Sequence, residues 1–136
     1  MPSSTTSSEP TRVLLVDDND AMLARVAAVL KPSCVIVGAV NDGPAALEAA
    51  RTLVPHVIVL DISMPGMSGF EVAVRLRESG STAAVVFLTV HDDEAFVLAA
   101  RAAGGIGYVV KPRLVSDLKL AVQEARAGRP FVSAAP

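Results

Sequence analysis

The sequence predicts an α/β fold, a doubly wound parallel sheet with helices on both faces, and three observations favour it. Short apolar runs recur five times along the chain, and segments with apolar residues at helical spacing separate them. The run Val57–Leu60 has no polar alternation, which is typical of a strand buried on both faces of a parallel sheet. Polar or charged residues follow most of the runs, as expected where parallel strands leave a sheet at one edge.

The predicted elements alternate regularly, strand before helix. The five strands are predicted at residues 13–16, 35–40, 57–60, 84–88 and 108–110. The helices, recognised by apolar residues at helical spacing, are predicted at residues 22–30, 45–53, 70–77, 92–100 and 114–127. Pro32, Pro55, Gly80 and the pair Gly104–Gly105 follow the first four helices, and prolines and glycines at such places predict helix ends.

Asp61 directly follows the run Val57–Leu60. Burying an ionised carboxylate within the run would be costly, so we expect Asp61 where the strand leaves the sheet, with its oxygens facing a crevice. Pro65 and Gly66 then predict a turn. An alternative is that Asp61 caps the next helix, and the local sequence leaves both interpretations open.

Composition excludes several classes of protein. A chain of 136 residues with 51% hydrophobic residues suits one domain, and a net charge of −2 provides no basic surface for nucleic acid or an anionic membrane. The lone Cys34 lies in an apolar run and predicts a buried structural thiol in a reducing compartment. No apolar run reaches the about 20 residues of a membrane helix. Residues 1–10 lack the features of a signal peptide and predict a disordered lead-in, so we expect a cytoplasmic protein.

The residues that follow the predicted strands are chemically distinctive. We expect them to converge, since ligands of such sheets bind beyond the carboxyl ends of the strands. These residues are Asp17, Asp18, Asp61, Thr89 and Lys111. Each one alone is also explained as a helix cap or a solvated loop charge.

Together, these groups favour phosphoryl transfer. Three neighbouring carboxylates repel one another and need a cation or raised pKa values. A set of oxygen ligands without histidine or cysteine favours Mg²⁺ or Mn²⁺. A lysine and a hydroxyl can contact the oxygens of a phosphoryl group, and an aspartate can accept one. No obvious general base is present to hydrolyse the product quickly, so the site is expected to hold a phosphoryl group for a time.

The motifs at these strand ends resemble the receiver domain of a two-component response regulator. They are Val16-Asp17-Asp18, Leu60-Asp61-Ile62-Ser63-Met64-Pro65-Gly66-Met67-Ser68-Gly69, Leu88-Thr89 and Tyr108-Val109-Val110-Lys111-Pro112. The resemblance covers residues 11–127. It implies a flavodoxin-like (βα)5 sandwich whose five-stranded parallel sheet has the order 2-1-3-4-5.

The resemblance also implies roles for single residues. Asp61 would accept a phosphoryl group from a histidine of a partner sensor kinase. Asp17, Asp18, Asp61 and the backbone carbonyl of Ser63 would ligate Mg²⁺. Lys111 would contact the phosphoryl group, and a cis peptide bond is expected before Pro112.

Thr89 and Tyr108 would form the switch pair. The phosphoryl group would draw the Thr89 hydroxyl toward it, and the Tyr108 ring would turn inward. Without the motif, Tyr108 is better explained as a half-buried aromatic residue on an edge strand. The readout surface would comprise the fourth helix, fifth strand and fifth helix, residues 92–127, and homodimerisation through it is common in the family. His91, two residues after Thr89, is expected to be a solvent-exposed loop histidine.

The segment 127–133 resembles the linker that leads, in one subfamily of transcription factors, into a C-terminal helix-turn-helix. We therefore predict a lead-in at 1–10, a receiver domain at 11–127, and a tail or linker at 128–136. The chain would be the receiver fragment of a DNA-binding regulator, and this fragment would not itself bind DNA. It would be a signalling domain rather than an enzyme, assisting only its own phosphorylation and dephosphorylation. A stand-alone receiver and a phosphorylation-independent interaction module are the alternatives.

Two other classes of protein share parts of the pattern. A flavodoxin-like cofactor binder would have Ser, Thr or Gly in a phosphate loop where Asp17 and Asp18 stand. A Mg²⁺-dependent phosphatase with an aspartyl nucleophile usually has a second acid where Ser63 stands. Flavin absorbance and turnover of a phosphate ester would reveal these two classes.

Overall fold

Strands and helices alternate along residues 9–133, the part of the chain that the computed structural model describes. The strands are β1 (Thr11–Val16), β2 (Cys34–Val40), β3 (Val57–Leu60), β4 (Ala84–Thr89), β5 (Gly107–Val110) and β6 (Phe131–Val132). The helices are α1 (Asp20–Leu30), α2 (Gly43–Leu53), α3 (Gly69–Glu78), α4 (Glu94–Ala102) and α5 (Leu114–Arg126), with a 3-10 turn at Lys111–Arg113. Residues 1–8 of the predicted lead-in and 134–136 of the predicted tail lie outside the described residues.

All six strands form one parallel sheet in the order β2-β1-β3-β4-β5-β6. The predicted α/β class and the order 2-1-3-4-5 are confirmed, and the predicted number of strands is corrected from five to six. None of the helices within residues 9–133 is long and apolar enough to span a membrane.

The sixth strand comes from the segment predicted as a tail. Its backbone bonds run from Phe131 N to Ile106 O (3.1 Å) and from Ser133 N to Tyr108 O (2.8 Å). A strand of two residues is too short to show a periodic pattern in the sequence. It forms because the edge of β5 offers backbone groups for pairing. As a result β5 is an inner strand of the sheet, and Tyr108 does not lie on the edge.

The core forms on both faces of the sheet. Alternate residues of β1 and β3 point to opposite faces, so Leu15 and Val59 pack with α1 and α5, whereas Leu14 and Ile58 pack with α2, α3 and α4. The whole of β3 is buried, as its unbroken apolar run predicts. Cys34 is a buried free thiol in the first of these two layers, which agrees with the structural role predicted for it.

Side-chain caps begin the first three helices near the carboxyl ends of the strands. The side-chain oxygens of Asn19, Asp42 and Ser68 each accept a backbone N–H from the first turn of α1, α2 and α3. Because Ser68 caps α3, the alternative that Asp61 serves as a helix cap is wrong. The carboxylate of Asp61 is therefore available for other chemistry.

Candidate functional site

Three aspartates meet where β1 and β3 end. Val16 and Leu60 are paired across these neighbouring strands, so the residues that follow them leave the sheet side by side. Asp17, Asp18 and Asp61 each bring a carboxylate oxygen within 4.8 Å of the others. Asp17 and Asp61 are only 4% and 5% exposed, whereas Asp18 faces solvent. The cluster therefore combines two buried carboxylates with one exposed carboxylate.

Lys111 supplies the positive charge of the site. It follows β5, and its Nζ lies 3.2 Å from Asp17 Oδ2 and 3.5 Å from Asp61 Oδ2. The side chain is mostly buried, which strengthens its interaction with the two carboxylates relative to an exposed ion pair. The sequence expectation that residues from different strand ends converge is thus met for Asp17, Asp18, Asp61 and Lys111.

The pKa of the Asp61 carboxyl is raised above its usual value. Burial is the largest cause, and the charge of Asp17 adds to it. The Lys111 ammonium and backbone hydrogen bonds from Ser63 and Ile62 act in the opposite direction but do not cancel the effect. Ionisation of Asp61 is therefore disfavoured in the folded protein, and a bound cation would offset this cost.

The donors of this cluster fit Mg²⁺. Carboxylate oxygens from three residues converge without histidine or cysteine, and hard divalent cations prefer such ligands. Their spacing is compatible with joint coordination of one ion, which would offset the cost of ionising the buried Asp61. The residues present therefore fit the metal that the sequence predicts.

The loop after Asp61 folds back onto it. Gly69 N donates to Ile62 O at 2.8 Å, and Gly66 adopts a φ of +82° in the turn between them. A Cβ on Gly69 would lie 2.1 Å from the carbonyl oxygen of Asp61, far inside contact distance. Gly69 is thus a functional-site residue that sequence reasoning did not single out, although it closes the quoted motif.

Thr89 and Tyr108 lie in the core on adjacent strands. Thr89 is fully buried at the end of β4, and its Oγ1 accepts the backbone N–H of His91 at 3.3 Å. The Tyr108 ring is also buried, and its hydroxyl donates to the carbonyl of His91 at 2.7 Å. Burial, followed by the charges of Asp93 and Asp92, raises the pKa of Tyr108 to about 12, so the hydroxyl stays protonated and donates. The description of Tyr108 as a half-buried edge residue is therefore wrong.

His91 joins these residues to the loop after Asp61. Its Nε2 lies 3.0 Å from the Ser63 hydroxyl, and its ring stacks on Phe96 at 4.0 Å between centroids. The expectation of a solvent-exposed loop histidine is corrected, because stacking leaves the residue only partly exposed. Ser63 itself is exposed.

Asn41 is another residue that sequence reasoning missed. Its Nδ2 donates to the carbonyl of Asp17 at 3.3 Å and to Asp20 Oδ1 at 2.7 Å, which ties the end of β2 to the acidic loop. Its position directly after a strand next to β1 was the available signal. The rule that strand ends converge applies to it as it does to Asp61.

The expected cis peptide bond before Pro112 is not found. No peptide bond between residues 9 and 133 is cis, and Lys111–Arg113 form a 3-10 turn closed by a hydrogen bond from Leu114 N to Lys111 O. Proline is well accommodated near the start of such a turn with a trans bond, since its fixed φ is close to the helical value.

Comparison with known proteins identifies relatives. Residues 13–123 match the family model described as response regulator receiver domain. The chain is 34% identical over 129 residues to the nitrate/nitrite response regulator protein NarL of Escherichia coli, an alignment that covers 93% of this chain and 60% of that protein. It is 39% identical over 116 residues to the positive alginate biosynthesis regulatory protein of Pseudomonas aeruginosa, covering 83% of this chain and 46% of that protein.

Solved structures share the fold. The signal receiver domain of the response regulator NarL from Mycobacterium tuberculosis superposes with a TM-score of 0.85 at 33% identity, covering 89% of this chain and 99% of that one. A two-component response regulator of the LuxR family from an Aurantimonas species gives a TM-score of 0.87 at 29% identity, covering 92% and 91%. The chain spans about 60% or less of the length of the two curated relatives described above.

Proposed function

This chain belongs to the response regulator receiver domain family, and on that premise we propose that Asp61 accepts a phosphoryl group from a phosphohistidine of a sensor histidine kinase. One observation carries the proposal. A buried carboxylate at the end of β3 lies beside two further aspartates and within 3.5 Å of a lysine ammonium. Nucleophile, cation ligands and a positive charge for phosphoryl oxygens are thereby brought together.

The bond changes of the proposed reaction are simple. A carboxylate oxygen of Asp61 attacks phosphorus, and the bond from phosphorus to the donor breaks with its electron pair. The leaving atom is an imidazole nitrogen for phosphohistidine and a carboxylate oxygen for acetyl phosphate. The product is an acyl phosphate on Asp61, whose extra charge Lys111 is placed to compensate.

Mg²⁺, or Mn²⁺ in its place, is the proposed cofactor. Asp17, Asp18, Asp61 and the backbone carbonyl of Ser63 would hold it. When bound, the ion neutralises the clustered carboxylates and the charge on the transferred phosphoryl group. Lys111 supplies only one positive charge to two buried carboxylates, and a divalent ion beside it would balance the remaining negative charge.

The proposed switch involves Thr89, His91 and Tyr108. The Thr89 hydroxyl would donate to a phosphoryl oxygen on Asp61. His91 would move with it, because its N–H bonds Thr89 Oγ1 and its carbonyl accepts the Tyr108 hydroxyl. Movement of this loop would alter the surface formed by α4, β5 and α5, through which we propose that homodimers form.

We further propose that the chain is the receiver part of a longer transcription regulator. The lengths of its relatives support this, since the chain spans 60% of one and 46% of the other. DNA binding would then belong to the output part of the protein. A stand-alone receiver and a phosphorylation-independent module are the competing proposals.

Intact mass after incubation with acetyl phosphate and Mg²⁺ tests the proposal. We expect a single phosphoryl adduct on the wild-type chain, which disappears when Mg²⁺ is removed with EDTA. Asp61→Asn should give no adduct, and Asp92→Asn, which alters an exposed acid outside the aspartate cluster, should be labelled like wild type. Equal labelling of Asp61→Asn would contradict the proposal. No adduct on any variant, even with a histidine-phosphorylated donor protein, would favour the phosphorylation-independent module.

A further inference from the structure

Asp117 is a buried carboxylate that the proposed reaction does not use. It lies in the first turn of α5 and is 8% exposed, and apart from Asp17 and Asp61 no other carboxylate within residues 9–133 is buried. Its oxygens accept hydrogen bonds from the Arg113 guanidinium at 2.7 and 3.2 Å, from Ser116 Oγ at 3.1 Å and from Ser133 Oγ at 2.9 Å. These four bonds converge from three places in the chain.

Ser133 connects Asp117 to β5. Its hydroxyl donates to Asp117 and accepts the backbone N–H of Val110 at 3.3 Å, while its own backbone N–H donates to Tyr108 O at 2.8 Å. The last backbone pair between β5 and β6 is Tyr108 with Val132. Beyond this pair, the Ser133 hydroxyl takes the place of a strand partner for the N–H of Val110. Val110 is the residue immediately before Lys111.

Arg113 connects the same carboxylate to the other side of Lys111. Its guanidinium bonds both oxygens of Asp117 in a forked arrangement, which is geometrically more specific than a single hydrogen bond. These bonds hold Arg113 at the end of the 3-10 turn that contains Lys111. One buried carboxylate thus bonds the side chain of Arg113, two residues after Lys111, and reaches the backbone of Val110, one residue before Lys111, through Ser133. Ser116, which also bonds Asp117, donates to the Arg113 carbonyl at 3.3 Å.

The anchoring matters because Lys111 has a long and flexible side chain. Lysine loses rotamer entropy when it is held in one place, and its reach depends on where its backbone lies. Lys111 Nζ approaches both Asp17 and Asp61 across the end of β4, which separates β5 from β3 in the sheet. A small backbone displacement at the end of β5 would be transmitted to this contact.

We propose that Asp117 and Ser133 are positioning residues for Lys111, so that the strand Phe131–Val132 and the residue after it complete the phosphoacceptor site. The inference rests on the proposed function, since it assigns these residues to the same reaction. Ser133 lies outside the segment 13–123 that matches the receiver family. The site is therefore completed by a residue that follows the last strand of the sheet.

The salt bridge between Arg113 and Asp117 is expected to persist to acidic pH. The hydrogen bond from Arg113 is the main cause that lowers the pKa of Asp117, and the hydroxyls of Ser133 and Ser116 add to it. The carboxylate consequently stays ionised throughout the neutral range in which phosphorylation is measured. A difference in phosphorylation rate between wild type and a Ser133 variant at neutral pH therefore reports the position of Lys111 and not a change in the ionisation of Asp117.

The test measures the initial rate of phosphorylation by acetyl phosphate with saturating Mg²⁺, followed by intact mass. Ser133→Ala should be slower by about fivefold, which corresponds to the loss of one hydrogen bond. Ser133→Thr keeps the hydroxyl and should recover most of the rate. Ser79→Ala is the matched control, because it removes one serine hydroxyl bond, from Ser79 Oγ to Leu76 O at 2.8 Å, at the end of α3 and away from Asp117 and β5, and it should stay within about twofold of wild type.

A double-mutant cycle separates positioning from a general structural role. If Ser133 acts through Lys111, Ser133→Ala should have no further effect on the slow rate of Lys111→Ala. Asp117→Asn, which loses the ion pair but keeps an acceptor for Ser133, should show the same dependence on Lys111. The inference would be overturned if Ser133→Ala slowed phosphorylation equally in the wild-type and Lys111→Ala backgrounds. It would also be overturned if Ser133→Ala did not slow the wild-type chain. Both outcomes would leave the proposed function intact. Absence of labelling on wild type, even with a histidine-phosphorylated donor, would overturn both.

Discussion

Replacing Gly69 with alanine is expected to lower the free energy of unfolding by about 3 kcal/mol, because the new Cβ would lie 2.1 Å from Asp61 O and 2.8 Å from Ile62 Cα. Both of these atoms belong to the backbone, so no side-chain rotation can relieve the clash. The loop after Asp61 must instead move, and the bond from Gly69 N to Ile62 O at 2.8 Å would be disturbed with it. Chemical denaturation measures the loss, and the phosphorylation rate should fall as well.

Gly66→Ala is the matched control for Gly69→Ala. It lies in the same loop with a φ of +82°, and an added Cβ would meet nothing within 4 Å. Its expected cost is the left-handed strain alone, about 1 kcal/mol. Equal destabilisation by the two substitutions would show that the close approach to Asp61 is not what requires glycine at position 69.

Replacing Asp61 with asparagine is expected to raise the free energy of unfolding at neutral pH in the absence of divalent cations. Burial and the charge of Asp17 raise the pKa of Asp61, so the ionised side chain disfavours the folded state. The gain should be on the order of 1 kcal/mol, a typical size for one substitution. Excess Mg²⁺ should stabilise wild type by about 2.7 kcal/mol at a concentration 100 times its Kd, and should stabilise Asp61→Asn much less.

The pH dependence of this difference has a definite sign. A carboxyl whose pKa is higher in the folded state binds its proton more tightly there, so its contribution to stability is largest below the unfolded value near 3.8. This contribution is lost as pH rises from the pKa of the unfolded state through the raised pKa of the folded state. Above that pKa it no longer changes with pH. The free energy of unfolding of Asp61→Asn minus that of wild type should therefore increase with pH between these two pKa values. A gap that shrinks with rising pH would contradict the assignment.

The regular part of the fold could be predicted from local patterns. Apolar runs without alternation indicated buried parallel strands, and β3 is buried throughout. Convergence of Asp17, Asp61 and Lys111 followed from a property of all parallel sheets, the common edge of their carboxyl ends. No distance between side chains was needed for that prediction.

The parts that the sequence did not reveal depend on tertiary contacts. Phe131–Val132 becomes a strand only because β5 offers backbone partners, and this pairing buries Tyr108 on an inner strand. His91 stacks on Phe96 and reaches Ser63 across two loops, a contact that no local periodicity encodes. Asp117 occupies an ordinary position near the start of a helix, and only the return of Ser133 gives it a link to β5.

Chemical trapping of the phosphorylated residue tests the central claim most directly. Borohydride reduces an aspartyl phosphate to homoserine, and peptide mapping by mass spectrometry then locates the modified position. After incubation with acetyl phosphate and Mg²⁺, we predict homoserine at position 61 alone, with none when Mg²⁺ is omitted. Homoserine at position 17 or 18, or a phosphoryl adduct that borohydride leaves unchanged, would contradict the assignment of Asp61 as the phosphoacceptor.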